Sequence, residues 1–284
     1  MSGPHRHSTP PTAGRSRSGR RAAATLVVLA LAGVTAPREA AAQAGYRTGD
    51  GVDAPLVVGG VLAYGLGWWL DRGDEPGPAA GEPLDPAALN ALDRSAVDNW
   101  SPAAARASDW LVAACAAAPL GLALDAGHGG QRDDIAVMYL ETALVTTGIT
   151  YLLKNLVGRP RPYAYSDDPA IPAALRGART TTRSFPSGHT ANAFAAMVFF
   201  ATVYTRLHPD ADAEAWVWGG CLAAASTTGY LRYRAGRHFP TDILAGASVG
   251  ALVGWAVPRA HETVFAEPAG ARGGEVRLAF GFGF

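Results

Sequence analysis

"RSFPSGHTANAFAAMVFFATVYTRL", residues 183–207, decides how the rest of the chain is read. Its first part gathers Pro186, Ser187, Gly188 and His189, and an apolar run of helical character follows at once. A serine at a helix start is a favoured N-cap, and the first amides of a helix point outward without intrahelical partners. Those amides, with the helix dipole behind them, attract an anion. An ordinary N-cap would explain four such residues just as well. What separates the two readings is what else the chain can bring to that helix mouth.

Nearly half of the residues, 49%, are apolar, only 17% are charged, and the formal net charge is zero. That balance argues against a nucleic-acid partner. Five further stretches share the apolar character of 190–207: residues 54–70, 109–124, 135–157, 215–231 and 242–258. Each runs to about 16 to 23 residues, around the span a bilayer requires. Several are rich in Gly, Ala, Ser and Thr, which lets membrane helices approach closely. Trp68, Trp69, Trp110, Trp216 and Trp218 stand near segment ends, as interfacial anchors would. The predicted fold is an all-α bundle of about five to six mostly apolar, transmembrane helices. A soluble helical bundle is the alternative, because several stretches fall short of twenty residues or are broken by Gly or Pro.

Arg15, Arg17, Arg20 and Arg21 precede an apolar run, 22–36, and then small residues at cleavage spacing. This pattern predicts a secretory signal peptide over 1–44, cut after Ala42 or Ala44. A Pro- and Gly-rich loop is expected over 71–86, followed by an amphipathic helix at about 87–99. The chain therefore divides into the signal segment, N-terminal helices over 45–134, a catalytic core over 135–258 and a C-terminal tail over 259–284. Cys115 and Cys221 both lie in apolar helical runs, where buried thiols are the expected state.

The chain has one lysine, Lys154, near the end of the third apolar stretch, with Arg161 seven residues on among helix-stopping prolines. A lysine in an apolar run either snorkels to the interface or faces a polar partner. The third polar stretch, "LRYRAGRHFPTDILAG" (231–246), holds Arg232, His238 and Asp242. Pro240 suits the first turn of a helix, so Asp242 lies one turn after His238 and can accept a ring N–H or cap the helix. If 135–157 crosses once and the next two stretches go across and return, all three polar stretches end on one side. Lys154, Arg161, Arg232, the Ser187–Gly188 turn and two histidines then share a pocket suited to a phosphate dianion.

Lys154-x6-Arg161-Pro162, Pro186-Ser187-Gly188-His189 and Arg232-x5-His238-x3-Asp242 resemble the three-part signature of the type 2 phosphatidic acid phosphatase superfamily. That group includes lipid phosphatases, bacterial acid phosphatases and vanadium haloperoxidases. One position departs from the pattern: Leu231 stands where the family usually has serine. The resemblance implies that His238 is the nucleophile and forms a phosphohistidine, while Asp242 orients its ring. It implies that His189 is the general acid and base, and that Lys154, Arg161, Arg232, Ser187 and Gly188 bind phosphate. No metal or other cofactor is called for, since the remaining histidines show no ligand spacing. The implied substrate is a lipid phosphate, such as a polyprenyl diphosphate, or a small phosphate monoester, hydrolysed at a membrane. A soluble acid phosphatase, a vanadate-dependent haloperoxidase and a catalytically silent lipid-binding protein stay open as alternatives. Family likeness favours an outward-facing site, periplasmic or extracellular, on the cell membrane. A cleaved leader followed by a crossing at 54–70 would instead turn the site inward.

Overall fold

The computed structural model describes residues 44–72, 84–124, 131–209 and 211–264. The expected signal segment, most of the 71–86 loop and the tail beyond residue 264 lie outside the described residues. Six long helices make up most of what is described: α1 (Asp50–Asp71), α3 (Pro102–Leu124), α4 (Arg132–Val157), α6 (Gly188–Leu207), α7 (Ala211–Arg234) and α8 (Pro240–Ala260). Two one-turn helices, α2 (Ala91–Arg94) and α5 (Ala173–Arg176), punctuate the connections. Strands β1 (Ala44–Tyr46) and β2 (Glu262–Val264) pair antiparallel, with Gly45 opposite Thr263. All six expected apolar stretches are helical, as an all-α bundle requires.

The expected amphipathic helix at 87–99 does not form as one piece. Asp85 caps a short 3-10 turn over Pro86–Ala88, and Asn90 caps α2 by accepting from the Asp93 amide. Two caps five residues apart divide the segment, because each directs a helix start of its own.

α6 occupies the middle of the bundle. Ala191, Ala193, Ala195, Ala196, Phe199, Ala201 and Val203 are all buried, and Phe199 stacks at a tilt against Tyr139 of α4. α8 lies directly on α6 through Gly246, Gly250 and Gly254, one turn apart. A Cβ at any of the three would run into the backbone carbonyl of Ser187, Ala191 or Ala195. A comparable contact joins α1 to α4, where a Cβ at Gly148 would strike the Gly60 carbonyl. Helices in lipid gain little from apolar burial against one another, so close backbone approach and dispersion must hold them.

The outside of the bundle is apolar. Val57, Val58, Val61, Leu62 and Leu66 of α1 are exposed, as are Leu120, Leu140, Leu244 and Leu252 on other helices. Trp68 and Trp69 are exposed in the last turn of α1, Trp216 in the second turn of α7 and Trp110 two turns into α3. A surface like this is unsustainable in water over so wide an area and matches a bilayer with its aromatic belts. Four helices are long and apolar enough to cross a membrane, those beginning at Gly51, Pro102, Arg132 and Pro240. The protein is thus membrane-embedded. Cys115 and Cys221 are buried free thiols.

Helix direction alternates, and this alternation builds the site. The ends of α1, α4 and α7 and the starts of α3, α6 and α8 share one end of the bundle, together with the long 158–187 connection. Asp71 at the end of α1 fixes that connection by pairing with Arg183 and Arg179 and by accepting from the Tyr151 hydroxyl at 2.7 Å.

Gly250→Val is expected to cost about 1–3 kcal/mol by forcing α8 from α6. Gly219, whose missing Cβ faces open space, should accept alanine with no loss. Thermal unfolding of the two variants in detergent checks both.

Candidate active site

His238 sits in the α7–α8 connection, which turns through Gly236 in the left-handed region at φ 66°. A side chain there would also collide with the Asn99 carbonyl, so only glycine closes this turn. The histidine is almost wholly buried, 1% exposed. Its Nδ1 lies 2.8 Å from the Ser184 carbonyl oxygen. A carbonyl only accepts, so Nδ1 carries the proton and, in the neutral ring, Nε2 presents a lone pair. Nε2 faces the Arg161 guanidinium, 3.5 Å away.

Asp242 does not make the hydrogen bond to His238 that its spacing allows. Its Oδ2 stands 3.8 Å from Nδ1, close enough for charge but too far for a bond. The reason lies in its other partners. Asp242 accepts from the Ser184 hydroxyl at 2.5 Å, the Phe239 amide at 2.9 Å and Arg159 at 2.7 Å. It is both the N-terminal cap of α8 and the anchor of the residue that holds the histidine ring.

Arg159 extends this network. One guanidinium nitrogen serves Asp242 and Thr241, and the other meets Asp93 at 2.7 Å, while the plane lies over the Phe239 ring. Asp93 is 1% exposed and also accepts from Thr241 and Asn90. Burial alone would raise its pKa, but the hydrogen bonds from Arg159, Thr241 and Asn90 outweigh that and lower it.

The expected phosphate ligands converge here. Lys154 donates to the Arg183 and Pro186 carbonyls at 3.2 and 2.5 Å, which leaves one ammonium proton. Arg161 donates to the carbonyls of Thr180 and Arg237. Neither cation has a carboxylate partner among the described residues. Arg232 is buried and donates to Ser108 and, at 3.3 Å, to Asp109, while its Nε has no partner among the described residues. Ser187 is buried and caps α6, its hydroxyl accepting from the Thr190 hydroxyl at 2.8 Å. That leaves its own proton to donate. Gly188 opens α6, and a Cβ there would touch the Lys154 stem at 3.5 Å.

His189 is half-buried at the start of α6, with Nε2 2.8 Å from Asp109. Burial and the Arg232 charge push its pKa down to about 4, although Asp109 opposes them. Burial, with the charges of Arg161, Lys154, Arg232 and His189, also pushes His238 well below the ordinary imidazole range. Both rings are therefore neutral near pH 7, and the pocket carries a surplus of fixed positive charge.

Four residues of this constellation were not singled out from the sequence: Arg159, Ser184, Asp93 and Asp109. Arg159 and Ser184 lie inside stretches already chosen for their motifs. Asp109 opens an apolar stretch, the one local signal that could have drawn attention to it.

A histidine lone pair aimed into a cationic cradle, on a membrane bundle, can receive a tetrahedral anion. Residues 135–266 match the model of the PAP2 superfamily. Every residue of the three motifs lies inside the match; Asp93 and Asp109 lie before it. The chain is 38% identical over 96 residues to a lipid A 1-phosphatase of Porphyromonas gingivalis, covering 34% of this chain and 20% of that protein. It is 32% identical over 108 residues to a lipid A 4'-phosphatase of Bacteroides thetaiotaomicron, covering 36% of this chain and 43% of that protein. It thus spans less than half the length of these relatives. A crystal structure of a transmembrane PAP2-type phosphatidylglycerolphosphate phosphatase from Bacillus subtilis aligns over 72% of this chain and 94% of that one. The TM-score is 0.45 and the identity 19%.

Arg159→Met should destabilise the protein by about 3–5 kcal/mol, since it strands two buried carboxylates; unfolding in detergent measures this. The pH behaviour follows from His189. An anion beside it raises its pKa above the free value, so binding takes up a proton and tightens as pH falls through the bound-state pKa. Sulfate keeps its charge over this range, and its affinity is expected to rise from pH 8 to pH 5 in the wild type and to stay flatter in His189→Asn.

Proposed function

We propose that the protein is a membrane phosphatase that hydrolyses a lipid phosphate through a phosphohistidine on His238. The observation that carries this reading is the Ser184 carbonyl at Nδ1 of His238, which leaves Nε2 facing Arg161 as a buried nucleophile. Lys154, Arg161, Arg232, the Ser187 hydroxyl and the Gly188 amide would hold the phosphoryl oxygens and stabilise the charge of the five-coordinate transition state. Nε2 attacks phosphorus as the ester oxygen departs with its electron pair and takes a proton from His189. Water then attacks the phosphohistidine, giving its proton to His189, and the P–N bond breaks to release inorganic phosphate. His189 must be protonated for the first step, and the bound dianion supplies that by raising its pKa. Asp242, 3.8 Å from the ring, offsets the charge that His238 gains on attack.

The catalytic core over 135–258 would borrow Asp93 and Asp109 from the N-terminal helices, the first to hold Arg159 and the second to hold His189. A lipid substrate is supported by the apolar exterior around the site end and by the lipid A phosphatases among the relatives. An apolar groove of about 420 Å³ opens beside the first turn of α8, lined by Leu92, Tyr230, Tyr233, Pro240, Ile243 and Leu244. We assign it to an acyl chain.

The outer face is the side proposed for the site, on the strength of the family resemblance. Because α1 runs toward the site end, this reading requires Gly49 on the inner side, so a translocated Gly49 would overturn it. A periplasmic reporter is expected to be active when fused at residue 170 and silent at residue 210.

His238→Ala should abolish hydrolysis of a lipid phosphomonoester while the protein keeps its unfolding temperature within a few degrees. Acid-quenched turnover with labelled substrate should leave phosphorus on residue 238 of the wild type. A folded, fully active alanine variant would refute the reading.

A further inference from the structure

At the other end of the bundle, Asp53 of α1, Glu141 of α4 and His261 after α8 bring their ligating atoms together, all within 4.8 Å of one another. Glu141 lies thirteen residues before Lys154 on α4, about 20 Å along the helix axis. These groups therefore stand apart from the phosphate pocket. We propose that Asp53, Glu141 and His261 bind one divalent transition-metal ion, zinc or manganese, that staples the first and last helices to α4.

The argument begins with the imidazole. Nδ1 of His261 lies 2.8 Å from the Val257 carbonyl, so Nδ1 carries a proton and Nε2 of the neutral ring offers its lone pair. A carbonyl on the far nitrogen is the usual support of a metal-binding histidine. Nε2 faces Asp53 Oδ1 at 2.9 Å and Glu141 Oε2 at 3.4 Å. With the ring neutral, three electron-pair donors thus meet with no hydrogen between them.

A proton on Nε2 would satisfy Asp53 alone. Glu141 is 2% exposed, and neither of its carboxylate oxygens has a hydrogen-bond partner. An ionised carboxylate left so inside a membrane bundle is costly. A dication shared by all three groups removes that cost and neutralises both carboxylates. The spacing agrees as well: metal–ligand bonds of about 2.0–2.2 Å in a tetrahedron put ligand atoms about 3.3–3.6 Å apart. Movement of the Asp53 and Glu141 carboxylates, whose ligating atoms lie within 4.8 Å of one another, would complete it. One imidazole with two carboxylates suits zinc or manganese better than calcium or magnesium, which favour all-oxygen sets.

The architecture gives the site a purpose. α1 buries little of its own surface, and most of its apolar side chains face outward. Its start is tied to the bundle by β1 and β2, by Thr48 donating to Asp134 and by this cluster. The sequence holds no sign of such a site, since 88 and 120 residues separate the three ligands, and the expectation of no metal came from that lack of local spacing.

The test uses the full chain, purified in detergent with chelator and then dialysed free of it. Cobalt(II) serves as the spectroscopic probe and zinc and manganese as titrants in calorimetry. One equivalent of cobalt should give visible d–d absorption, and zinc or manganese should bind one to one and raise the unfolding temperature. Asp53→Asn and Glu141→Gln should each weaken binding at least tenfold. Asp53 is partly exposed, so its variant gives a reading even where Glu141→Gln fails to fold. The proposal is overturned by equal affinity in the wild type and Asp53→Asn, or by no stoichiometric binding with His261 doubly protonated in its NMR spectrum. Phosphate hydrolysis by Asp53→Asn should persist either way, which separates this test from that of the catalytic reading.

Discussion

A single buried carboxylate holds the cationic end of this protein in shape. Asp242 caps α8 through the Phe239 amide, takes the Ser184 hydroxyl from the connection before α6, and pairs with Arg159 from the segment after α4. Three pieces of chain far apart in sequence are thereby locked at one point, 3.8 Å from the ring of His238. The arrangement is stable only as a whole. A carboxylate taken out of water needs its partners in place, and Arg159 in turn needs Asp93 because one guanidinium serves both acids.

The same network separates two roles that proximity alone would merge. The group that sets the tautomer of His238 is the Ser184 carbonyl, a neutral acceptor. The charge of Asp242 lies one step behind it and is mostly spent on Arg159. His238 therefore keeps a low pKa, set by its burial and by the cations around it, where a directly bonded carboxylate would have raised it. Lys154 and Arg161 are bonded to carbonyls and to no acid among the described residues, so no carboxylate competes with an anion for them.

Much of the fold could be read in advance. Six apolar stretches became six long helices, because a run of that length has few other ways to satisfy its backbone. The expected helix at 87–99 failed where Asp85 and Asn90 each capped a start of their own. The motif residues also converged as their alternating helix directions required. Arg159 escaped notice because it stands beside the matched Arg161 and resembles it in every local respect. Asp93 and Asp109 lie outside the matched domain, and no spacing ties them to it.

Composition and order along the chain determined the helices, their alternation, and which polar turns share an end. They also determined the chemical kinds of the groups at that end, since lysine, arginine and histidine keep their character wherever they are placed. Which acid bonds which base was decided only by the tertiary structure. Asp242 went to Arg159 and Ser184 and left His238 to a carbonyl, and Asp53, Glu141 and His261 met across the whole length of the chain. Hydrogen bonds act over about three ångströms, and distances of that order between remote residues exist only once the helices have packed.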